Sequence, residues 1–387
     1  MKIYNRELLS SIVDNLYNVN PNTSPDTYVQ YREESIINNH NILPVAFYLP
    51  QYYPIEINNI HWGEGFTEWS NVTRAVPQFV GHYQPHQPEK FGYYDTRIPN
   101  LLLEQALLAH KYGLKAFCFY YYYFQGKTEL EYPLKIYANS TDAILPFCLC
   151  WANENWTRKW DGRENEILLQ QKYDIHYLKD FITKISTYFS LPHYFKIKGR
   201  PLVLIYNPSA IPNLDVFITL WREHCYKNNI SNPYIIGAKT FDAEYDILNY
   251  GLDALMEFPP HGIKTSKINI GDKLLNPNFK GTIYSIKDHI EFIKQGIPFK
   301  IYRGVFPSWD NTSRVLERAK IFIDTEPDVF ENWCDLVIDY TISEFDASSR
   351  LLFVNAWNEW GEGAHLEPDK KYGYAYLQVL RNCLNKK

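Results

Sequence analysis

Short, uniformly apolar runs recur through most of this chain, and between them lie longer segments whose apolar positions repeat with helical spacing. The runs fall at Pro44 to Tyr48, Lys115 to Tyr120, Ile144 to Cys150, Pro201 to Tyr206, Tyr234 to Gly237, Ala254 to Phe258, Ile301 to Phe306 and Leu351 to Asn355. Helical spacing marks Asn100 to Tyr112, Ile175 to Phe189, Leu214 to Lys227, Ile286 to Gln295 and Phe330 to Phe345. A strand that alternates apolar and polar residues is buried on one face, whereas one that is apolar throughout is buried on both. Eight such runs separated by helical segments predict the α/β class, with a parallel sheet closed into a (β/α)8 barrel of the TIM type. An open doubly wound sheet is the alternative. Against it, no G-x-G-x-x-G turn follows the first strand and no G-x-x-x-x-G-K-[ST] loop occurs.

Residues 1 to about 42 are polar, rich in Asn and without strand signal. They read as an extension packed on or trailing from a barrel spanning 43–387, and a chain of 387 residues fits one barrel with long loops.

Composition narrows the partners. No stretch approaches the roughly 18 to 20 apolar residues that span a bilayer, so a soluble protein is expected. The net charge of -5 comes from acidic and basic residues spread along the chain, which offers no footprint for nucleic acid. Cys118, Cys148 and Cys150 lie in strand-like runs where a small thiol packs well, and six cysteines in this length read as reduced rather than as a disulfide framework. The amino terminus lacks the continuous apolar stretch of a secretory signal, so the expected compartment is cytoplasmic. The aromatic share of 17% is high, and Tyr and Trp present the flat apolar face and polar edge that sugars bind.

In a (β/α)8 barrel the working residues follow the carboxyl ends of the strands. Candidate substrate-binding residues stand there. Tyr48 ends the first run, and Gln51, His61, Trp62, Glu64, Glu68 and Trp69 follow it. Tyr121 follows the second, and Trp151, Asn153, Glu154, Asn155 and Trp156, with Arg158, Trp160 and Asp161 beyond, follow the third. Trp309, Asp310 and Arg314 follow the seventh, and Trp357, Asn358 and Trp360 follow the eighth. A lone Trp or His at such a place is more often scaffold than ligand platform, but four strand ends of the same chemistry favour a sugar cleft. His61, His82 and His86 share one loop, yet the chain has no H-E-x-x-H pattern and no paired-cysteine spacing, so no metal and no cofactor are expected. No G-x-S-x-G elbow offers a serine nucleophile.

The candidate catalytic pair is Glu359 and Glu362. Three residues apart, they can face one way on a turn, and glycosidic cleavage needs two carboxylates. Proximity of like charges, with desolvation by Trp357 and Trp360, raises the proton affinity of one. An isolated E-x-x-E is also common at surfaces.

The blocks FYLPQYYP, HWGEGFTEWSNVTRA, GHYQPHQP, FCLCWANENWTRKWDGR, RGVFPSWDNTSR and NAWNEWGEGAHLEPD resemble the WbsX-like family, a relative of glycoside hydrolase family 99 found in bacterial surface-polysaccharide gene clusters. The resemblance covers about residues 43 to 383. It implies a (β/α)8 barrel and a retaining mechanism on α-mannoside-like substrates in which the sugar's own 2-hydroxyl is the nucleophile. By position in the W-N-E-W-x-E-G motif, it implies that Glu359 accepts the 2-hydroxyl proton and Glu362 protonates the leaving group. The implied partner is an oligosaccharide or polysaccharide, such as an O-antigen or capsule glycan, with loose association with the polysaccharide-assembly machinery. Three positions, in two segments, depart from the relatives' pattern. Tyr121 and Tyr123 replace a His and a Trp, which would alter sugar preference if they line the donor pocket, and Gly361 replaces a bulkier residue.

Three functions compete. A hydrolase predicts cleavage by water, a glycosyltransferase or transglycosidase predicts transfer to another hydroxyl, and a lectin-like barrel predicts binding without turnover. The lack of a D-x-D signature favours the hydrolase.

Overall fold

The eight apolar runs become eight strands of one parallel sheet in a computed structural model, which describes residues 10, 27–37, 41–158, 163–240, 250–296 and 300–386. They are β1 (Leu43–Tyr48), β2 (Ala116–Phe124), β3 (Phe147–Trp151), β4 (Arg200–Ile205), β5 (Tyr234–Lys239), β6 (Ala254–Glu257), β7 (Gly304–Val305) and β8 (Leu351–Val354). Neighbours run β6-β5-β4-β3-β2-β1-β8-β7. The ring closes through a parallel bridge between Met256 and Tyr302, where Tyr302 N donates to Leu255 O at 3.0 Å and Glu257 N to Tyr302 O at 2.8 Å. Gly304 permits that closure, because a Cβ there would lie 2.8 Å from Glu257 O and 2.7 Å from Pro259 Cδ. Burial on both faces explains the composition of the strands: every residue of β3 and β8 is buried.

Helices α1 (Pro99–Lys111), α2 (Ile175–Ser186), α3 (Leu214–Lys227), α4 (Ile286–Lys294) and α5 (Pro327–Glu344) stand where helical spacing predicts them. Asp174 caps α2 by accepting from His176 N and Tyr177 N at 3.1 and 3.0 Å. α5 begins ahead of its apolar pattern because Pro327 supplies a first-turn residue that needs no N–H partner.

Another helix, α6 (Ala375–Asn385), packs on α5, and a three-stranded sheet of Lys267–Ile268, Thr282–Ser285 and Lys320–Ile323 joins the loops after β6 and β7. The sequence pattern marks neither. Of the expected extension, residues 27–37 run beside the barrel. There Val29 exchanges backbone hydrogen bonds with Tyr372 and Tyr374, and Arg381 binds Ser35 O at 2.8 Å. Nearly all the rest of residues 1–26 lies outside the described residues.

All six cysteines are buried and free. No described helix is long and apolar enough to cross a membrane.

Candidate active site

Residues that follow six of the eight strands, and two from β2 itself, converge on one cleft at the carboxyl pole of the barrel. Its wall takes Leu49 and Gln51 after β1, Tyr120 and Tyr122 from β2, and Ala152, Glu154, Asn155, Trp156 and Thr157 after β3. Tyr206 follows β4, Phe258 follows β6, Arg314 follows β7, and Glu359 and Glu362 follow β8. Asn58, Trp62 and Leu168 complete it around some 960 Å³ of empty space. One side is an aromatic cluster: Trp156 packs edge-on against Tyr122 at 5.3 Å and Phe124 at 5.4 Å, and the Arg158 guanidinium lies 5.4 Å from the Trp62 ring centre.

Both glutamates are held by a single guanidinium. Arg314 donates from Nη1 to Glu362 Oε1 at 2.6 Å, from Nη2 to Glu359 Oε2 at 2.8 Å and from Nε to Glu68 Oε1 at 2.7 Å. The planar fork of arginine suits three carboxylates at once, where a lysine ammonium would be a single point charge.

Backbone contacts hold the clamp in turn. Arg74 binds Ser313 O and Arg314 O at 3.0 and 2.9 Å, Ser313 Oγ donates to Gly361 O at 2.6 Å, and Asp310 N donates to Glu362 O at 2.6 Å. Gly361 is required for the same reason. A Cβ there would fall 2.7 Å from Glu68 Cδ and 2.9 Å from Arg314 Nε, so the Glu68–Arg314 pair occupies the space that any larger residue would need.

Burial pushes the Glu359 carboxyl up to about 8; Arg314 opposes the shift while Glu362 and Glu68 add to it. Three carboxylates facing one guanidinium cannot all stay charged cheaply, so the group holds a proton near neutral pH. The direction follows from burial of Glu359, which is 5 % exposed.

Of the residues singled out from sequence, Gln51, Trp62, Glu154, Asn155, Trp156, Arg314, Glu359 and Glu362 line the cleft. Glu68 stands behind it, fully buried on Arg314. The rest lie elsewhere. Tyr48 is buried with its hydroxyl on Gln105 Oε1 at 2.7 Å, and Trp69 donates to Tyr94 O at 2.8 Å. Tyr121 packs on Phe181 and Tyr188, and Trp151 stacks on Phe181.

Asn153 bonds Asn207 N and O and so fastens the loops after β3 and β4. Asn358 holds Leu49 N and O at 2.7 and 3.0 Å, while Trp357 is sealed against Phe117. Trp360 stacks on His365 and donates to Glu367 Oε2 at 2.7 Å. His61 sits in the last turn of the helix Glu56–Trp62, Glu64 is exposed, and Trp309 and Asp310 line a second cavity. Trp160 and Asp161 lie outside the described residues.

The three loop histidines do not meet. His82 accepts from Gln78 N at Nδ1 and donates from Nε2 to Asp310 at 2.6 Å, whereas His86 contacts His365. Burial raises Asp310, but His82, Gln84 and Thr312 outweigh it and hold its carboxyl near 2.

Sequence reasoning missed Tyr120 and Tyr122, and the signal was available: side chains alternate along a strand, so Tyr120 and Tyr122 share the face that Tyr121 and Tyr123 do not. Tyr123 instead bonds Asp180 against α2. The two departures from the relatives' pattern on β2 therefore face the helix layer rather than the cleft.

The family described as glycosyltransferase WbsX matches residues 44–380. The uncharacterized protein WxcX of Xanthomonas campestris pv. campestris strain B100 is 39% identical over 361 residues, covering 93% of this chain and 52% of that protein. The WxcX of strain ATCC 33913 matches to the same extent, so the chain spans about half the length of the curated relatives it matches.

Among solved structures, the family 99 endo-alpha-mannosidase of Bacteroides thetaiotaomicron superposes with a TM-score of 0.55 at 13% identity, over 89% of this chain and 96% of that one. A glycoside hydrolase-like protein gives 0.54 at 15% identity, over 94% and 99%. These likenesses establish the barrel fold.

Proposed function

Since this chain belongs to the WbsX glycosyltransferase family, we propose that it is a carbohydrate-active enzyme that breaks or exchanges an α-mannoside-like bond of a bacterial surface-polysaccharide glycan, with the 2-hydroxyl taking part. The observation that carries this reading is the pair Glu359 and Glu362, bound to adjacent nitrogens of Arg314 and open to one aromatic cleft.

Glu359 takes the 2-hydroxyl proton as O2 attacks the anomeric carbon and the glycosidic C–O bond breaks. Glu362 delivers its proton to the departing oxygen. Glu362 then removes a proton from an incoming water or sugar hydroxyl, whose oxygen attacks the anomeric carbon. O2 leaves that carbon and recovers its proton from Glu359. In its ionised form, the minority one below about 8, the raised proton affinity makes Glu359 the stronger base toward a weakly acidic hydroxyl.

Arg314 lines the cleft, and three carboxylates already claim it. The diphosphate of a sugar nucleotide would meet Glu154, Glu359 and Glu362, which favours a glycoside over a nucleotide donor. The same reading sets the enzyme in the cytoplasm, beside the machinery that assembles the glycan.

The raised proton affinity of Glu359 also favours a second reading in which the roles are exchanged and Glu359 is the acid. Aryl glycosides and glycosyl fluorides, assayed with wild type, Glu359→Gln and Glu362→Gln, separate the two. An activated leaving group rescues only the variant that lacks the acid. Turnover that survives both substitutions removes the mechanism, and consumption of sugar nucleotides alone, with acceptor present, makes the protein a nucleotide-dependent transferase. Saturable glycan binding with no turnover makes it a lectin.

A further inference from the structure

On the far side of the segment that follows β8, away from the catalytic cleft, three buried donor atoms converge. His86 Nδ1, His365 Nε2 and a carboxylate oxygen of Asp369 all lie within 4.8 Å of one another. The imidazole nitrogens are 2.8 Å apart, and His365 Nε2 is 3.9 Å from Asp369 Oδ2. His365 Nδ1 donates to the Glu367 carbonyl at 2.9 Å, so Nε2 carries the ring's lone pair and accepts from His86 Nδ1, a hydrogen bond that an ion between the two nitrogens would replace. Metal-bound histidines are oriented in this way, one nitrogen on the ion and the other on a carbonyl.

We propose that His86, His365 and Asp369 form a binding site for a divalent transition metal, Zn2+ by the character of its donors, with the open position facing the second cavity. Two neutral imidazoles and one carboxylate are a donor set that Zn2+ takes with a water or anion as fourth ligand. Zinc about 2.0 to 2.1 Å from each donor spaces tetrahedral donors roughly 3.3 Å apart. The two imidazole nitrogens, 2.8 Å apart, would therefore open by about half an ångström, and Asp369, 3.9 Å from His365 Nε2, would close on that atom by about as much.

A second, independent observation points to a ligand. Trp309 lines the same cavity, is 6 % exposed, and its indole N–H has no acceptor among the described residues. That N–H is a ready donor to a metal-bound water or anion.

The site would act through position. His86 comes from the loop after β1, while His365 pairs with Asn358 across the small hairpin in which Glu359 faces Ala364. An ion there pins the hairpin that carries the cleft glutamates. The other convergent group, Glu331, Asp335 and Cys383, already receives Lys386 Nζ at 2.8 and 2.9 Å and needs no ion.

The test titrates the full chain, stripped by chelator, with Zn2+ and Co2+. One equivalent should bind, raise the melting temperature and, with Co2+, give visible bands of a four- or five-coordinate nitrogen and oxygen site. His86→Gln or Asp369→Asn should weaken binding beyond the about 10- to 100-fold that outer-sphere losses cost. Absence of saturable binding, a thiolate-to-metal band that points to Cys383, or unchanged affinity in both variants overturns the proposal. Should the variants fail to fold, zinc X-ray absorption on wild type decides: two imidazoles with oxygen are expected, and sulfur or oxygen alone overturns it.

Discussion

Glu359 and Glu367 sit on opposite sides of one short segment, both almost fully buried and both with raised proton affinity, yet their surroundings differ in kind. Burial lifts Glu367 to about 7 against the pull of Trp360, Tyr94 and Gln105, whose neutral N–H and O–H groups bind it at 2.7, 2.8 and 2.6 Å. Its oxygens are saturated by fixed donors, so it cannot give up or take a proton without breaking bonds that hold two loops together. Glu359 shares one mobile charge balance with Glu362, Glu68 and Arg314, and it opens on a cleft. A shifted pKa therefore does not mark a working carboxylate by itself. Access and competition for a single cation do.

The largest expected effect separates the two residues directly. Glu359→Gln should cost about 10²- to 10⁴-fold in kcat and leave the fold intact, because it removes a proton acceptor from a crowded group of carboxylates. Glu367→Gln should leave kcat within a few-fold of wild type while losing about 1 to 3 kcal/mol of stability, since one amide N–H would then face a donor. Paired steady-state kinetics and denaturant melts check both. A folded Glu367→Gln without turnover would break the comparison.

Next in size is Arg314→Met. It strips the shared cation from the buried Glu68 and Glu359 and the half-buried Glu362, and an uncompensated buried charge costs about 3 to 5 kcal/mol. Urea denaturation at neutral pH should show that loss. Adding Glu68→Gln to the variant should restore part of it, because the two residues are in direct contact.

A smaller effect depends on pH. The folded-state value of Glu359, about 8, lies above its ordinary 4.5. The stability it contributes is therefore full below 4.5 and is lost as the pH rises through 8. Relative to wild type, Glu359→Gln should gain of order 1 to 3 kcal/mol between those limits and nothing below them. A flat difference across that window, read from melting curves in matched buffers, would mean that Glu359 stays ionised in the unliganded protein.

How far the sequence is legible follows from the same contrasts. The strands and five helices are readable because apolar runs and helical spacing are direct records of burial, and β1, β4, β6 and β8 fall within about two residues of their predicted ends. The W-N-E-W-x-E-G segment locates the cleft for a similar reason: it follows the last strand. Its large aromatics mislead, because Trp357 and Trp360 fill the gap between loops while the smaller Glu359 and Glu362 reach the opening. The role of Arg314 as a clamp on three carboxylates depends on contacts 45, 48 and 246 residues apart in the chain, which no local pattern records. The run Phe119 to Phe124 hides its facing altogether, since aromatic side chains of one kind point both ways and alternation leaves no contrast of polarity.

That run supplies the finest test. Tyr122 is half-buried in the cleft wall, whereas Tyr121 is buried against α2 with its hydroxyl 3.2 Å from Thr128 Oγ1. Removing a hydroxyl that meets substrate costs about 0.5 to 1.5 kcal/mol, so Tyr122→Phe should change kcat/KM by about 2- to 10-fold with little change in melting temperature. Tyr121→Phe should leave kcat/KM alone and lose up to about 1 kcal/mol of stability through its contact with Thr128. The pair discriminates because the two residues are neighbours in sequence and identical in chemistry, so that only the strand's alternation separates them. An altered kcat/KM in Tyr121→Phe, with Tyr122→Phe unchanged, would place the sugar on the other face of β2 and return Tyr121 to the role its position in the motif implies.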